Sequence, residues 1–561
     1  MKVYTQGDAE VALTQDLFAA AGGEGAVYAI GSTGYKIFHD SNKVIPVAKI
    51  QELGAIADPD VIRPLAPVYT KSRGKELHVG HTFRFIPHAF TLCQLFSRAF
   101  RDREGLTMEK VINLVKRMRD SMAAVHAGKA LVVDANEMNF LVRQDFGAVY
   151  FIDVDSYRTP HFPATAIMTS VRDPQVQDNR FTELSDWFAF AVVTFQLFTG
   201  IHPFKGKHPT IRGLEERMEK GISVFHPEVG LPKACYPTSV IPPAYLAWYQ
   251  RLFVHGERLP APVELQGAIA VATPARAVGV TDRLEILEIG VFAGAIRSVC
   301  GDMVHAGEAI YYKGKKVWEH PEPRSGMSPV AFGHNVAAWL EAGKIRIVAG
   351  FDDCGHSREV EVDVKASEVR AYNGAIYAHA RDRIFRIAVI HFADRMIRSL
   401  SVAARVLEHA SRLFDGCFIQ NILGEPYVGF LPWAGACHQT ALPELRGYRV
   451  TAAKFDAGVL MVMGTKDGRQ DRFVYRFAPD FALMDVRRIE DATSPNFVVL
   501  DTGICVALTE DENLEIFAAT STSPRREIKD SMIGGDMQLA KHGSKLRFFR
   551  GEKLYSMGMR A

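Results

Sequence analysis

The sequence predicts a chain of two unlike parts: an α+β bilobal domain, then an all-β domain built as a six- or seven-bladed β-propeller. Three observations point there. Residues 1–262 begin with glycine-rich and alternating segments and continue with longer apolar segments of helical period, the order of a small strand-rich lobe (about 1–87) and a larger helical lobe (about 88–262). From about Leu284, hairpin-like segments recur at a spacing of roughly 30 to 45 residues, close to one four-stranded blade. Between the halves Pro260-Ala-Pro262 punctuates the chain, so 263–283 reads as a linker and 284–561 as the second domain. A chain of 561 residues is too long for one core, and about two to four domains are expected.

Composition narrows the classes. Hydrophobic residues at 48% and charged residues at 23% are globular values, which exclude long disorder. A formal net charge of +2 argues against nucleic acid or an acidic membrane as partner. The seven cysteines, Cys93, Cys235, Cys300, Cys354, Cys417, Cys437 and Cys505, form no C-x-x-C and are odd in number, which favours free thiols in a reducing cytoplasm. Cys354-Gly-His356 and Cys437-His438 lack a matching second pair, so no structural zinc is expected. The start, MKVYTQGDAEVALTQ, has acidic and polar residues where a secretion signal needs an apolar run. Trp187 to Ile201, the most apolar stretch, is short of the ~20 residues a bilayer requires and reads as a buried helix. A cytoplasmic protein without a membrane partner is the expectation.

Taken in order, Ala20 to Tyr28 read AAGGEGAVY, and AIGSTGYKIF turns at Ser32-Thr33-Gly34 and returns as a strand carrying Lys36. Glycine at Gly22, Gly23 and Gly25 lets backbone approach phosphate oxygens without intervening Cβ atoms, leaving N–H groups to donate. Lys43 to Ala57, KVIPVAKIQELGAIA, has apolar residues at near-helical spacing and carries Glu52. Val61 to Pro87 reads as strands ending in VGHTFRFIP. Glu76, just past the turn at Ser72-Arg73-Gly74, is a poorer candidate than Glu52 to pair with Lys36. Thr91 to Phe100 and Met108 to His126 read as helices, with His126 a helix-end residue. The loop D-A-N-E-M-N, Asp134 to Asn139, follows, and then an apolar strand after Gly147 ends in the acidic pair Asp153 and Asp155. Carboxylates and an amide in this arrangement suit phosphoryl transfer, one carboxylate orienting a hydroxyl while the others hold Mg²⁺ against phosphates.

These motifs resemble those of the protein-kinase superfamily. D-A-N-E-M-N is similar to the D-x-x-x-x-N catalytic loop, I-D-V-D stands where kinases carry D-F-G, and GGEGAVY with D-V-D-S-Y resembles divergent bacterial Ser/Thr kinase-like proteins that carry D-x-D-S. The resemblance implies ATP and Mg²⁺ as cofactors. It implies that Gly22, Gly23, Gly25 and Val27 cover the nucleotide, that Lys36 contacts the α- and β-phosphates, and that Glu52 forms the ion pair fixing Lys36. It makes Asp134 the residue that orients the acceptor hydroxyl, and Asn139 and Asp153 the metal ligands, with Asp155 a supporting or alternative ligand. SDWFAFAVVTFQLFTGIHPFKG resembles the αF helix, so Asp186 should accept hydrogen bonds from the catalytic-loop backbone. AYLAWYQRLFVHGERLPAP resembles the closing helix of the lobe, with Arg258 near the place of a buried arginine. There are departures: Ala20 replaces the first glycine, Val132 and Val133 replace the His and Arg before Asp134, and A-P-E is missing, with Arg172-Asp173-Pro174 its diverged counterpart. The loss of that Arg removes the partner of an activation-loop phosphate. The expected function is a Ser/Thr protein kinase transferring the γ-phosphate to a protein hydroxyl; the alternative is a pseudokinase scaffold that binds nucleotide or partners without transfer.

In the second half EAIYYKGKKVWEH, AGKIRIVAGFDD, GAIYAHARDRIFRI, GCFIQNILGEPYVGFL, GVLMVMGTKDGRQDRFVYRF, GICVALTEDENLEIF and SKLRFFRGEKLYSM echo one another as hairpins. Val402 to Phe414 is more helical in composition and reads as a blade insertion; a β-sandwich pair is the alternative architecture. This domain is expected to bind a protein substrate or partner.

Overall fold

The computed structural model describes all residues except 6–9, 73–74, 166, 233–234, 266–278, 282, 321–329, 353, 392–395, 433–436, 493, 520–523 and 560–561. Two compact units divide the chain, one made chiefly of 1–272 and the other chiefly of 273–561. The division falls within the stretch 263–283 expected as a linker, most of which lies outside the described residues.

The first unit opens with a seven-stranded sheet. Strands β1 (Lys2–Tyr4), β2 (Glu10–Ala12), β3 (Phe18–Ala21), β4 (Gly25–Ile30), β5 (Thr33–Phe38), β6 (Ala66–Ser72) and β7 (Lys75–Arg84) stand in the order β2-β1-β6-β7-β5-β4-β3. Its centre is close-packed: a Cβ on Gly80 would collide with the Lys36 carbonyl oxygen, so β7 can reach β5 only with hydrogen at that position. Between β5 and β6, helix α1 spans Val47–Leu53, shorter than the 43–57 that the apolar spacing suggests. Pro46 holds extended backbone (φ −60°, ψ 147°) at its start, and the residue before a proline avoids the helical region, so no helix can enter from Lys43. The buried face of α1 is Lys49, Ile50 and Leu53.

The remainder of the unit is mainly helical. A 3₁₀ turn at Leu92–Phe96 and α2 (Arg98–Glu104) replace the single helix expected over 91–100, because Ser97 is extended (φ −76°, ψ 127°). Helix α3 (Met108–Ala127) is capped by the Thr107 hydroxyl, which accepts the Lys110 N–H, and buries Val111, Leu114, Val115, Met118, Met122 and Val125 on one stripe. Strand β8 (Phe90–Thr91) and the hairpin β9 (Phe140–Val142) and β10 (Val149–Phe151) form a small sheet beside it. Helix α4 (Glu183–Thr199) starts in a reciprocal Thr182–Ser185 cap and stops at Gly200, whose φ of +81° suits a residue without Cβ. Nearly all of α4 is buried, as an apolar sequence without a polar face requires. Helices α5 (Leu214–Glu219) and α6 (Pro243–Phe253) complete the unit, with Tyr245, Trp248, Tyr249 and Phe253 of α6 packed into the same core as α3 and α4.

Arg258 and Asp173, picked out separately in the sequence, meet. Arg258 donates through Nε (2.7 Å) and Nη2 (2.6 Å) to the two Asp173 oxygens and lies 4.4 Å over the Phe188 ring. Such a bidentate buried pair anchors the segment 158–182 to the helical core.

The second unit is all-β. Among the described residues it forms seven four-stranded antiparallel sheets, over 296–319, 331–365, 368–405, 411–441, 449–490 and 497–528, and a seventh that joins Leu284–Val291 to three strands within 538–559. The seventh has Leu284–Val291 at its edge, hydrogen-bonded to Lys553–Met559. Alternation along the strands gives each sheet two packing faces, and buried clusters join each sheet to the next. Trp339 and Ile310 lie in the cluster of the first and second sheets, Ile347 and Ile376 in that of the second and third, and Leu413 and Tyr377 in that of the third and fourth. Phe455 and Phe430, then Met461 and Phe517, then Leu514 and Phe548 continue the series. Ile296 and Val304 pack with Phe549 and Leu554, so the seventh sheet meets the first. The insertion expected over 402–414 is not present: the chain there runs in the strands Met396–Arg405 and Ser411–Phe414, and pairing with neighbours overrides the local helical composition.

The Arg258–Asp173 pair sets a stability test. Asp173→Asn leaves a buried guanidinium without its counter-charge and should cost the first unit about 3 kcal/mol, read as a lower urea midpoint. Asp173→Leu combined with Arg258→Met should cost much less, since no buried charge is then left unpaired.

Candidate active site

Lys36 is central in its sheet, opposite Val27 of β4 and His81 of β7. Its Nζ donates to Asp153 Oδ1 and to Asp155 Oδ2, both at 2.7 Å, although those residues follow 117 and 119 positions later. Glu24, in the glycine-rich turn, is 3.8 Å away. In that turn the Gly22 N–H donates to the Gly25 carbonyl and the His39 N–H to the Glu24 carbonyl, while Cβ atoms on Gly22 or Gly23 would meet nothing within 4 Å. The turn therefore presents open backbone at Gly22 and Gly23, with the Glu24 carboxylate reaching Lys36 on β5.

Glu52 does not pair with Lys36. It accepts instead from His161, through the ring Nδ1 at 2.6 Å and the backbone N–H at 3.4 Å. The reason lies in the phase of α1: its inward face is Lys49-Ile50-Leu53, and Glu52 falls beside that face. Lys49, which sequence reasoning passed over, is 2% exposed and donates one long hydrogen bond (3.3 Å) to the Pro163 carbonyl. A lysine at an inward helical position amid apolar neighbours was the signal that could have found it. Burial pulls its pKa down to about 8, opposed by Asp155, Glu24 and Asp153.

The loop carrying Asp134 is held from below by Asp186 at the start of α4. Asp186 Oδ2 accepts the Val132 N–H (2.8 Å) and Oδ1 the Val133 N–H (2.9 Å), as expected from its place in the sequence. His126 adds its Nε2 at 2.9 Å from Oδ2, a supporting role at the end of α3 that sequence alone did not assign. The clamp is needed because Val133 adopts φ +63°, a conformation costing a β-branched residue about 1–3 kcal/mol. Beyond this strained residue Asp134 is buried, its Oδ1 accepting the Met168 N–H (2.9 Å). Asn139 donates from Nδ2 to the Asp134 carbonyl (2.9 Å) and more weakly to Oδ2 (3.4 Å).

The β9–β10 hairpin joins the two halves of the site. Phe140 pairs with Phe151, and the Ile152 N–H donates to the Asn139 carbonyl at 2.9 Å, so Asn139 and Asp153 emerge side by side from the mouth of the hairpin. Asp153 adopts φ +60° and starts the turn Val154–Ser156, where Ser156 N–H and Oγ both donate to the Asp153 carbonyl. That reversal aims the two aspartates at one ammonium. Tyr157 follows, and burial together with Asp186, Asp153, Asp134 and Asp155 pushes its hydroxyl well above the ordinary tyrosine range.

The two aspartates are not equivalent. The Asp155 side chain is 5% exposed and that of Asp153 35%. Burial works against the Asp155 carboxylate, but Lys36 and then His81 outweigh it and hold its pKa below the ordinary value. For Asp153, burial and then the neighbouring Asp155 prevail over Lys36, and its pKa is raised. Burial likewise opposes the charge of Lys36, yet Asp155 and Asp153 keep it above the usual lysine range. A buried lysine between two carboxylates, beside a carboxylate and an amide on a clamped loop, can hold an anionic ligand and a hard cation and can accept a proton from a hydroxyl.

Two further groups of side chains bring possible metal-donor atoms together. His208, His226 and Glu228 bring one donor atom each within 4.8 Å of one another. The ring Nδ1 atoms accept backbone N–H groups of Ile211 (3.1 Å) and Glu228 (3.3 Å), which puts each neutral ring's proton on Nε2 and leaves no lone pair for a cation. Asp352, Cys354 and His356 close an exposed turn in which Asp352 Oδ1 accepts the N–H groups of the other two.

Compared with protein-family models the chain matches none, and compared with curated proteins it matches none.

His81 offers a pH test of this core. It is 2% exposed and 3.9 Å from Asp155, and burial lowers its pKa from 6.5 to about 4. A histidine buried neutral takes up its proton more readily when unfolded, so its contribution to stability is present above pH 6.5 and is lost as pH falls towards 4. His81→Phe should therefore lose about 3 kcal/mol less than wild type across that window, measured by urea unfolding at several pH values.

Proposed function

We propose that the first unit is a protein-kinase-like bilobal domain acting as a Mg²⁺- and ATP-dependent Ser/Thr kinase on a protein hydroxyl. We propose further that the second unit is a closed seven-bladed β-propeller that binds the protein substrate or a partner, and that the protein works in the cytoplasm. The observation that carries the enzymatic reading is the convergence of Lys36, Asp153 and Asp155 at 2.7 Å, next to an Asn139 bonded to Asp134. Residues so far apart in sequence meet in the order and grouping that phosphoryl transfer uses. The propeller reading is supported by the seven sheets, the packing of the seventh on the first, and the strand from residues 284–291 paired with the strand from 553–559. Among the described residues no helix is long and apolar enough to cross a membrane.

The donor set fits the cofactor. All candidate ligands are oxygen donors, and Asp153 is exposed enough to accept a hard cation, so Asn139 and Asp153 would hold Mg²⁺ and Gly22, Gly23, Gly25, Val27 and Lys36 the nucleotide. When bound, Mg²⁺·ATP supplies the γ-phosphoryl group and the cation that neutralises it. The chain's own residues do the rest. Lys36 would share its ammonium between carboxylate and phosphate oxygens. Asp134 Oδ1 turns from the Met168 N–H to the acceptor hydroxyl, aligns its lone pair and takes its proton. Asp186 keeps Asp134 at its post during this exchange, acting through the Val132 and Val133 backbone.

A scaffold that binds nucleotide without transfer is the second reading, favoured by the Met168 N–H that already occupies Asp134 Oδ1. Incubation with γ-labelled ATP and Mg²⁺ separates the two. The kinase reading expects label on protein hydroxyls, with Asp134→Ala reducing incorporation by about 10²-fold or more and Lys36→Met raising the KM for ATP. Binding of Mg²⁺·ATP without incorporation would establish the scaffold reading instead, and equal incorporation by wild type and Asp134→Ala would overturn the kinase reading at this site.

A further inference from the structure

Resting on the nucleotide-binding reading above, we infer that the two aspartates divide their work: Asp155 is the fixed partner that positions Lys36, and Asp153 is the exchangeable one that leaves Lys36 for the metal ion. The helix that would supply an acidic partner for Lys36 supplies none, because Glu52 is engaged with His161 and the inward charge of α1 is the ammonium of Lys49. An acid for Lys36 must therefore come from elsewhere. Asp155 is suited to it: its side chain is 5% exposed, its Oδ2 receives Lys36 at 2.7 Å, and its Oδ1 faces His81 at 3.9 Å. Taking this carboxylate away from Lys36 would strand two opposite charges in a water-poor interior, so the pair persists whatever else binds.

Asp153 differs on each count. Its carboxylate is 35% exposed and its duty in the turn is carried by its carbonyl, which accepts both Ser156 donors. Rotation of the carboxylate away from Lys36 leaves the turn intact and costs no buried pair, since Asp155 still satisfies the ammonium. It also starts beside Asn139, at the mouth of the β9–β10 hairpin. One lysine hydrogen-bonded to two acids, with Glu24 farther off at 3.8 Å, thus behaves as a latch with one permanent and one removable hydrogen bond. Asp155 acts through Lys36 and is a positioning residue.

The test uses the full-length protein and calorimetric titration with ATP, first in EDTA and then against a series of Mg²⁺ concentrations. Asp155→Asn should weaken metal-free ATP binding by about 10-fold or more, the value of one charge-assisted contact, with the Mg²⁺ midpoint within about 3-fold of wild type. Asp153→Asn should do the reverse, keeping metal-free affinity within about 3-fold and raising the Mg²⁺ midpoint by about 10-fold or more. Asp155→Glu should recover part of the metal-free affinity. Should Asp155→Asn not fold, the Asp153→Asn arm decides alone. The inference is overturned if Asp153→Asn loses metal-free affinity, or if Asp155→Asn moves the Mg²⁺ midpoint instead. A wild type that binds no ATP in either condition overturns the nucleotide-binding reading itself, a result distinct from either.

Discussion

A lysine ammonium and a carboxylate withdrawn from water each forfeit hydration worth several kcal/mol, and only mutual contact at hydrogen-bond distance restores it. Lys36 and Asp155 are in that situation, with the more exposed Asp153 as a second acceptor, and the cluster ties a strand of the seven-stranded sheet to a turn more than a hundred residues later. The rest of the first unit's site is arranged to make this meeting possible. The sheet places Lys36 opposite His81 with only hydrogen on Gly80 between β5 and β7, the β9–β10 hairpin delivers the aspartates, and the left-handed backbone at Asp153 turns both towards one point. With charges balanced in this way the interior tolerates a neutral histidine and a second lysine, Lys49, close by.

The second constraint is one of backbone and not of charge. A β-branched residue in left-handed conformation is disfavoured wherever alternatives exist, and Val133 is held there by a buried carboxylate that grips its N–H and that of its predecessor. Helix α4 can deliver that carboxylate because the capped Thr182–Ser185 turn fixes where the helix begins, and the helix is otherwise apolar and immovable in the core. Asp134 inherits a rigid position from a strained neighbour. His126 supports the grip from α3, so two helices and one loop share a single acidic side chain.

How far the sequence could be read depended on whether a residue's neighbours were local. Periodicity placed α3 almost to its ends, an unbroken apolar run and motif resemblance placed α4, and the hairpin pattern of the second half located its strands, because capping, helical faces and tight turns are decided within a few residues. Asp186 was legible as a clamp and Lys36 as a strand lysine through motif order. The partner of Lys36 was not. Choosing between Glu52 and Asp155 depends on which way α1 is rotated, which a helix of seven residues bounded by Pro46 leaves to tertiary packing. The same holds for the break at Ser97 and for residues 402–414, where neighbouring strands and not composition fix the backbone. The contact between Asp173 and Arg258 spans 85 residues, and two motif positions noted independently gave no hint that they touch.

The edge strand of the seventh sheet has a consequence during synthesis. Leu284–Val291 hydrogen-bonds to Lys553–Met559, and Glu288 waits 265 residues for its ion-pair partner Lys553. At ribosomal speeds that interval is on the order of 10 to 50 s, during which the strand has been made and has nothing to pair with. Leu287, Ile289 and Val291 remain exposed even in the finished fold, so the nascent strand offers an apolar edge to any other chain nearby. The seventh sheet therefore depends on shielding of this strand until the strand Lys553–Met559 has been made.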